Sequence, residues 1–189
     1  RKKLVADKKK RRAQKRGTKT RSPTQQHIES LLEHYQNGRY SDAEELALSI
    51  AEKFPRHNFS CKLLAEILKK TGRTPEALVA GQQAIEIDPQ DAEAHCNLGI
   101  TLQELGRLEE AETSYRQAIA LQPDLPEAHN NLGLVLKELG KLDEAEASYK
   151  QAIVLKPGYA RAHNNLGDTL HEQGRLDEAE GSYKQAIAL

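Results

Sequence analysis

Three columns of residues in this 189-residue chain have types that could do chemistry, and each recurs at intervals of 34. The first is His95, His129 and His163. Imidazole is a common metal ligand, but zinc needs its nitrogens within about 2.1 Å. Packed helices stand about 8–10 Å apart, so histidines on successive helix pairs do not converge on one ion. They read as packing residues with one nitrogen satisfied locally. The second column is acidic, Glu109–Glu110 and Asp143–Glu144. These pairs fall at the starts of predicted helices, where carboxylates complement the positive end of the helix dipole. The third is Asn97, Asn131 and Asn165. Asparagine is a mediocre helix-interior residue, so three in register ask for a reason. A primary amide carries both donor and acceptor, matching the C=O and N–H of an extended peptide backbone.

Nothing else in the chain has the pattern of a catalytic constellation. G-x-S-x-G, H-E-x-x-H, a glycine-rich phosphate loop and a dinucleotide fingerprint are all missing. The expectation is a chain with no catalytic residues, no cofactor and no metal. Cys61 and Cys96 lie 35 residues apart without a Cys-x-x-Cys spacing and read as buried small hydrophobes in reduced surroundings.

The elements that position these columns follow from the same period. Pro55, Pro89, Pro123 and Pro157 keep it, as do Gly38, Gly72, Gly106, Gly140 and Gly174, and Ala43, Ala77, Ala111, Ala145 and Ala179. A fixed period in this range marks a stacked-repeat architecture. In Ala92–Leu125, Leu98, Leu102 and Leu105 have helical spacing, and Gly99 allows close approach to a neighbour. Gly106 breaks the first helix. The second helix has the apolar face Ala111, Tyr115, Ala118, Ile119 and Leu121, and Pro123 ends it.

These residues resemble the tetratricopeptide repeat (TPR) family. The signature positions 7, 8, 11, 20, 24, 27 and 32 are Leu98, Gly99, Leu102, Ala111, Tyr115, Ala118 and Pro123, and the set returns from Leu132 to Pro157. The resemblance spans residues 24–189, in units 24–57, 58–91, 92–125, 126–159 and 160–189, the last incomplete. It implies an all-α fold, a right-handed superhelical solenoid of tandem antiparallel helix pairs. Position 4 departs from it: the family commonly has Trp there, and this chain has His27, Cys61, His95, His129 and His163. Repeats 1 and 2 are divergent, with Leu31 and Ala65 where later units have Gly, and Gly81 where they have Tyr. Terminal repeats are often atypical because one face meets solvent.

In this family the first helices line the concave surface. The resemblance therefore makes the asparagines a ladder there, gripping a partner's extended or helical segment. The same columns are similar to those in the superhelical arm of O-linked N-acetylglucosamine transferases. The stripe continues through position 2 (Glu93, Glu127, Arg161) and position 9 (Ile100, Leu134, Asp168), whose variation over a constant packing frame suits a binding face. Repeats 1 and 2 carry Glu29 and Leu63 at position 6, leaving three rungs. Glu66 and Glu127 stand where a basic array for a chaperone's terminal carboxylate would be needed, so that partner class is not expected.

The zero net charge hides two opposed parts. Residues 1–23 hold 12 Lys and Arg against Asp7 alone, a charge of +11, and the remaining 166 residues carry −11. The tail is expected to be disordered, and its KKKRR run, Lys8–Arg12, suits contact with a polyanion or an import receptor. No run is long and apolar enough to span a bilayer. A cytoplasmic location is expected, or a nuclear one if the tail is an import signal. Leu189 stops short of a closing Pro, and the chain reads as a fragment. The leading expectation is a protein–protein interaction scaffold. The alternative is the substrate-recruiting arm of a larger glycosyltransferase whose catalytic domain lies elsewhere. A third class is a nucleic-acid or membrane adaptor led by the tail.

Overall fold

The structure, a computed structural model, describes residues 22–189, and these form ten α-helices and no strand. The first helices of the five repeats are α1 (Gln25–Gln36), α3 (Asn58–Lys70), α5 (Ala92–Glu104), α7 (Pro126–Glu138) and α9 (Ala160–Glu172). The second helices are α2 (Tyr40–Lys53), α4 (Thr74–Ile87), α6 (Leu108–Leu121), α8 (Leu142–Leu155) and α10 (Leu176–Ala188). The expectation about the tail falls, up to Arg21, outside the described residues.

Each turn between paired helices closes in the same way. Gly38, Gly72, Gly106, Gly140 and Gly174 take φ between 70° and 78°, a left-handed conformation that glycine adopts without a Cβ clash. In repeat 3 the Gly106 N–H donates to Gln103 O at 2.9 Å, and the Arg107 N–H reaches back to Leu102 O at 2.9 Å. This Schellman pair satisfies the last carbonyls of the first helix and turns the chain directly into the second. Two of the first helices are capped by side chains: the Thr24 hydroxyl accepts the His27 N–H before α1, and Asp91 accepts the Ala94 N–H at 3.0 Å before α5.

The core is a linear stack. Ala43, Ala77, Ala111, Ala145 and Ala179 are at most 2% exposed, and their small side chains let paired helices pack closely. Beside them, Tyr115 and Tyr149 are fully buried, lying over Gly99 and Gly133. A Cβ on Gly99 would stand 2.7 Å from Tyr115 Cε1, and one on Gly133 2.6 Å from Tyr149 Cε1. The close neighbour of each glycine is thus an aromatic ring of its own repeat. At the same two repeat positions, repeat 1 has Leu31 and Ala47, repeat 2 has Ala65 and Gly81, and the later repeats have glycine and tyrosine.

Ion pairs tie neighbouring second helices together on the outside. Arg73 contacts Glu44 at 2.8 Å, Lys141 contacts Glu112 at 2.9 Å and Arg175 contacts Glu146 at 2.6 Å. Each joins position 16 of one repeat to position 21 of the repeat before. Position 21 of repeat 2 is Leu78, so Arg107 instead pairs within its own repeat, with Glu110 at 2.6 Å.

Candidate functional site: the concave groove

The direction of curvature follows from which helices meet. First helices of successive repeats touch, α3 with α5, α5 with α7 and α7 with α9. Second helices stand apart, and clefts of 330, 460 and 580 Å³ open between the pairs α2/α4, α6/α8 and α8/α10. The first helices therefore line the inner, concave side. Their stripe of positions 2, 6, 9 and 13 is the candidate site.

The position 4 histidines do not face this groove as free ligands. Each ring Nε2 meets the carbonyl of the preceding repeat's proline: His95 with Pro89 at 3.1 Å, His129 with Pro123 at 3.0 Å, and His163 with Pro157 at 3.0 Å. Each thus pins the loop that joins two repeats, which is the service a large apolar residue would give by packing. Among the described residues no group of His, Cys, Asp and Glu is arranged to hold a metal. Burial, aided by Glu127, pushes the Cys96 thiol up to about 11, far from a reactive thiolate.

The asparagine column is half-buried, and the structure joins its rungs through a residue that sequence reasoning missed. Asn130, at position 5 of repeat 4, is fully buried. It accepts from Asn165 Nδ2 at 2.9 Å and donates to Asn131 Oδ1 at 3.3 Å. The Asn131 amide in turn neighbours the Tyr115 hydroxyl, which donates to Gln103 Oε1 at 3.4 Å. Repeat 3 has Cys96 at position 5, so Asn97 has no such bridge. The signal was present as the doubled Asn130–Asn131, but burial of one member depends on how α7 and α9 meet.

The other groove residues divide into anchored and open. Asp168 accepts from the Tyr183 hydroxyl at 2.8 Å and from Asn164 Nδ2 at 3.3 Å. Glu93 is held by Lys62, and Glu127 by Lys156 at 3.3 Å. Ile100 and Leu134 are half-buried and pack against the core, while Arg161 is exposed.

One polar group is left over. The Tyr149 hydroxyl is buried with no hydrogen-bond partner. Its counterparts end on Gln103 (position 12) and Asp168 (position 9), both acceptors. In repeat 4 those positions are Leu134, which has no polar atom, and Lys137, a donor already paired with Glu172 at 3.4 Å. Leaving a buried hydroxyl unpaired costs about 1–3 kcal/mol. Tyr149→Phe is therefore expected to melt at or above the wild-type temperature. Tyr183→Phe, which breaks a bond to a carboxylate, is expected to lose about 1 kcal/mol. Thermal melts of the two variants check the contrast.

The fold defines a class: a helical repeat solenoid of tandem antiparallel pairs. Models of known families agree. A "TPR repeat" model matches residues 65–106 and 101–140, and a "Tetratricopeptide repeat" model matches 124–189. The chain belongs to the tetratricopeptide repeat family, and it is a protein–protein interaction module. No curated protein matches it. Among solved structures, MamA is similar at 25% identity and TM-score 0.78, over 82% of this chain and 91% of that one. A MamA fragment from Desulfovibrio magneticus RS-1 is similar at 16% identity and TM-score 0.80, over 86% and 92%. Pseudomonas aeruginosa pilF is similar at 22% identity and TM-score 0.78, over 86% and 74%. The last two show the fold alone. Among the described residues no helix is long and apolar enough to cross a membrane.

Proposed function

We propose that the chain binds an extended segment of a partner protein along the concave groove of repeats 3–5, with Asn97, Asn131 and Asn165 as backbone-reading contacts, and that it acts by binding rather than catalysis. The observation that carries this reading is the amide stripe itself. Three half-buried primary amides stand in register on helices that touch one another, two of them fixed by Asn130. A fixed amide loses little entropy when it takes a ligand, and that pre-organisation raises affinity. Glu93, Glu127, Arg161 and Asp168 form the rim of the same face, and Ile100 and Leu134 its apolar floor.

The test is the triple variant Asn97/Asn131/Asn165→Ala. It is expected to keep its helical circular dichroism and to lose at least tenfold in affinity for a partner captured by the wild type, about 1.4 kcal/mol. An intact fold with unchanged affinity would falsify the reading.

A further inference from the structure

We propose that the segment bound by repeats 3–5 carries Lys or Arg at every third residue and lies in the polyproline II conformation. The proposal rests on the groove reading above and adds the chemistry of the ligand.

The charge comes from position 13. Glu104, Glu138 and Glu172 are exposed, one on each first helix, in a row beside the asparagine stripe. Glu138 accepts from Gln103 Nε2 at 2.9 Å across two helices, and Glu172 has Lys137 at 3.4 Å. Among the described residues, Glu104 and Glu138 have no Lys or Arg partner. The position 2 acids differ, since lysines already hold Glu93 and Glu127. Glu104 and Glu138 thus leave negative charge without a Lys or Arg partner in line on this face, on a unit of net charge −11.

A second observation is independent of charge. The wholly buried Tyr149 hydroxyl has no partner. Its ring lies over Gly133, and its counterparts in repeats 3 and 5 reach position 12 (Gln103) and groove position 9 (Asp168). The middle repeat therefore offers a donor towards the groove floor and holds no acceptor for it. A backbone carbonyl that enters the groove floor would be such an acceptor.

Spacing selects the conformation. Touching helices stand about 8–10 Å apart, so the rungs recur at that interval. A polyproline II chain rises about 3.1 Å per residue with three residues per turn. Its residues i and i+3 share a face about 9 Å apart, and its backbone groups are free of internal hydrogen bonds. A β-strand returns to one face after about 6.6 Å, out of step with the rungs.

The experiment uses the full chain and fluorescent Ala/Pro peptides roughly twelve residues long, enough to pass three rungs about 9 Å apart. One peptide carries Arg at every third position. A second has the same number of Arg at every second position, and two more carry Glu or Gln in place of Arg at every third. Anisotropy is read at about 0.1 M salt, where screening still spares contacts shorter than about 10 Å. The expected result is binding of the Arg-every-third peptide at least tenfold tighter than any other. It should fall at least tenfold in both Glu104/Glu138/Glu172→Gln and Asn97/Asn131/Asn165→Ala. A wild-type affinity that rises tenfold when Lys8–Arg12 become Gln also supports the proposal, because the chain's own cations then compete for the same row. Equal binding of the two Arg spacings, or indifference to the glutamine triple, overturns it. If the Gln peptide binds as tightly and only the asparagine triple weakens it, the groove reading survives and the cationic ligand does not. If no peptide responds to the asparagine triple, the groove reading itself fails.

Discussion

Gly133→Leu is expected to destabilise the solenoid by about 3 kcal/mol, at the upper end of the usual cost of overpacking a core. For a chain of this size that corresponds to roughly 6–12 °C in melting temperature. The Cβ alone would stand 2.6 Å from Tyr149 Cε1 and 2.8 Å from Cδ1 and Cζ. The obstacle is a ring that is 0% exposed, held within the stack that includes Leu132, Leu136 and Ala145, so it has no alternative position. Repeats 1 and 2 supply the rescue. They carry Leu31 and Ala65 at the position of Gly133, with Ala47 or Gly81 at the position of Tyr149. Gly133→Ala should accordingly be costly in the wild-type background and nearly free in Tyr149→Ala. A double-mutant cycle would then show a coupling of roughly 1–2 kcal/mol. Additive effects, or a Gly133→Leu melt equal to wild type, would mean that this contact does not limit the distance between α7 and α8.

Asn130→Asp is expected to cost roughly 3 kcal/mol at pH 7, nearly isosteric though it is. A fully buried carboxyl has its pKa raised by about 3–5 units through desolvation, at about 1.36 kcal/mol per unit. The Asn165 amide, which donates to this position at 2.9 Å, offsets part of that. The neutral acid fits the site, because its O–H replaces the N–H given to Asn131. The sign of the pH dependence follows. The folded-state pKa lies above the unfolded value of about 3.9, so the folded state binds more protons. Below pH about 4 the variant should match wild type. Stability is lost as pH rises from there to the raised folded pKa, and is level beyond it. Urea midpoints of variant and wild type, compared at each pH, check this. A loss independent of pH would place the defect in packing, and no loss would mean that Asn130 is not sequestered.

Much of this architecture is visible in the order of residues, for a physical reason. A repeat touches only its neighbours, so each packing requirement returns with the period. The five glycines at positive φ, the alanine column and the glycine–tyrosine pairs are local in that sense, and the 34-residue beat announces each of them. The asparagine column was equally legible. Its internal engagement was not, because the Asn165–Asn130 bond joins residues 35 apart on different helices and depends on the distance between them.

The sequence by itself determined the helix pairs, their turns and their stacking order, since backbone conformation and the close glycine–tyrosine contacts are set by residue type. It also placed the polar stripe on one face of the first helices. Only the tertiary structure decided which polar groups on that stripe are spent and which are open. Tyr149 and Tyr183 occupy the same position of their repeats, and one hydroxyl finds Asp168 while the other finds nothing. The difference lies in what two other helix positions offer within about 3 Å, and no period records that.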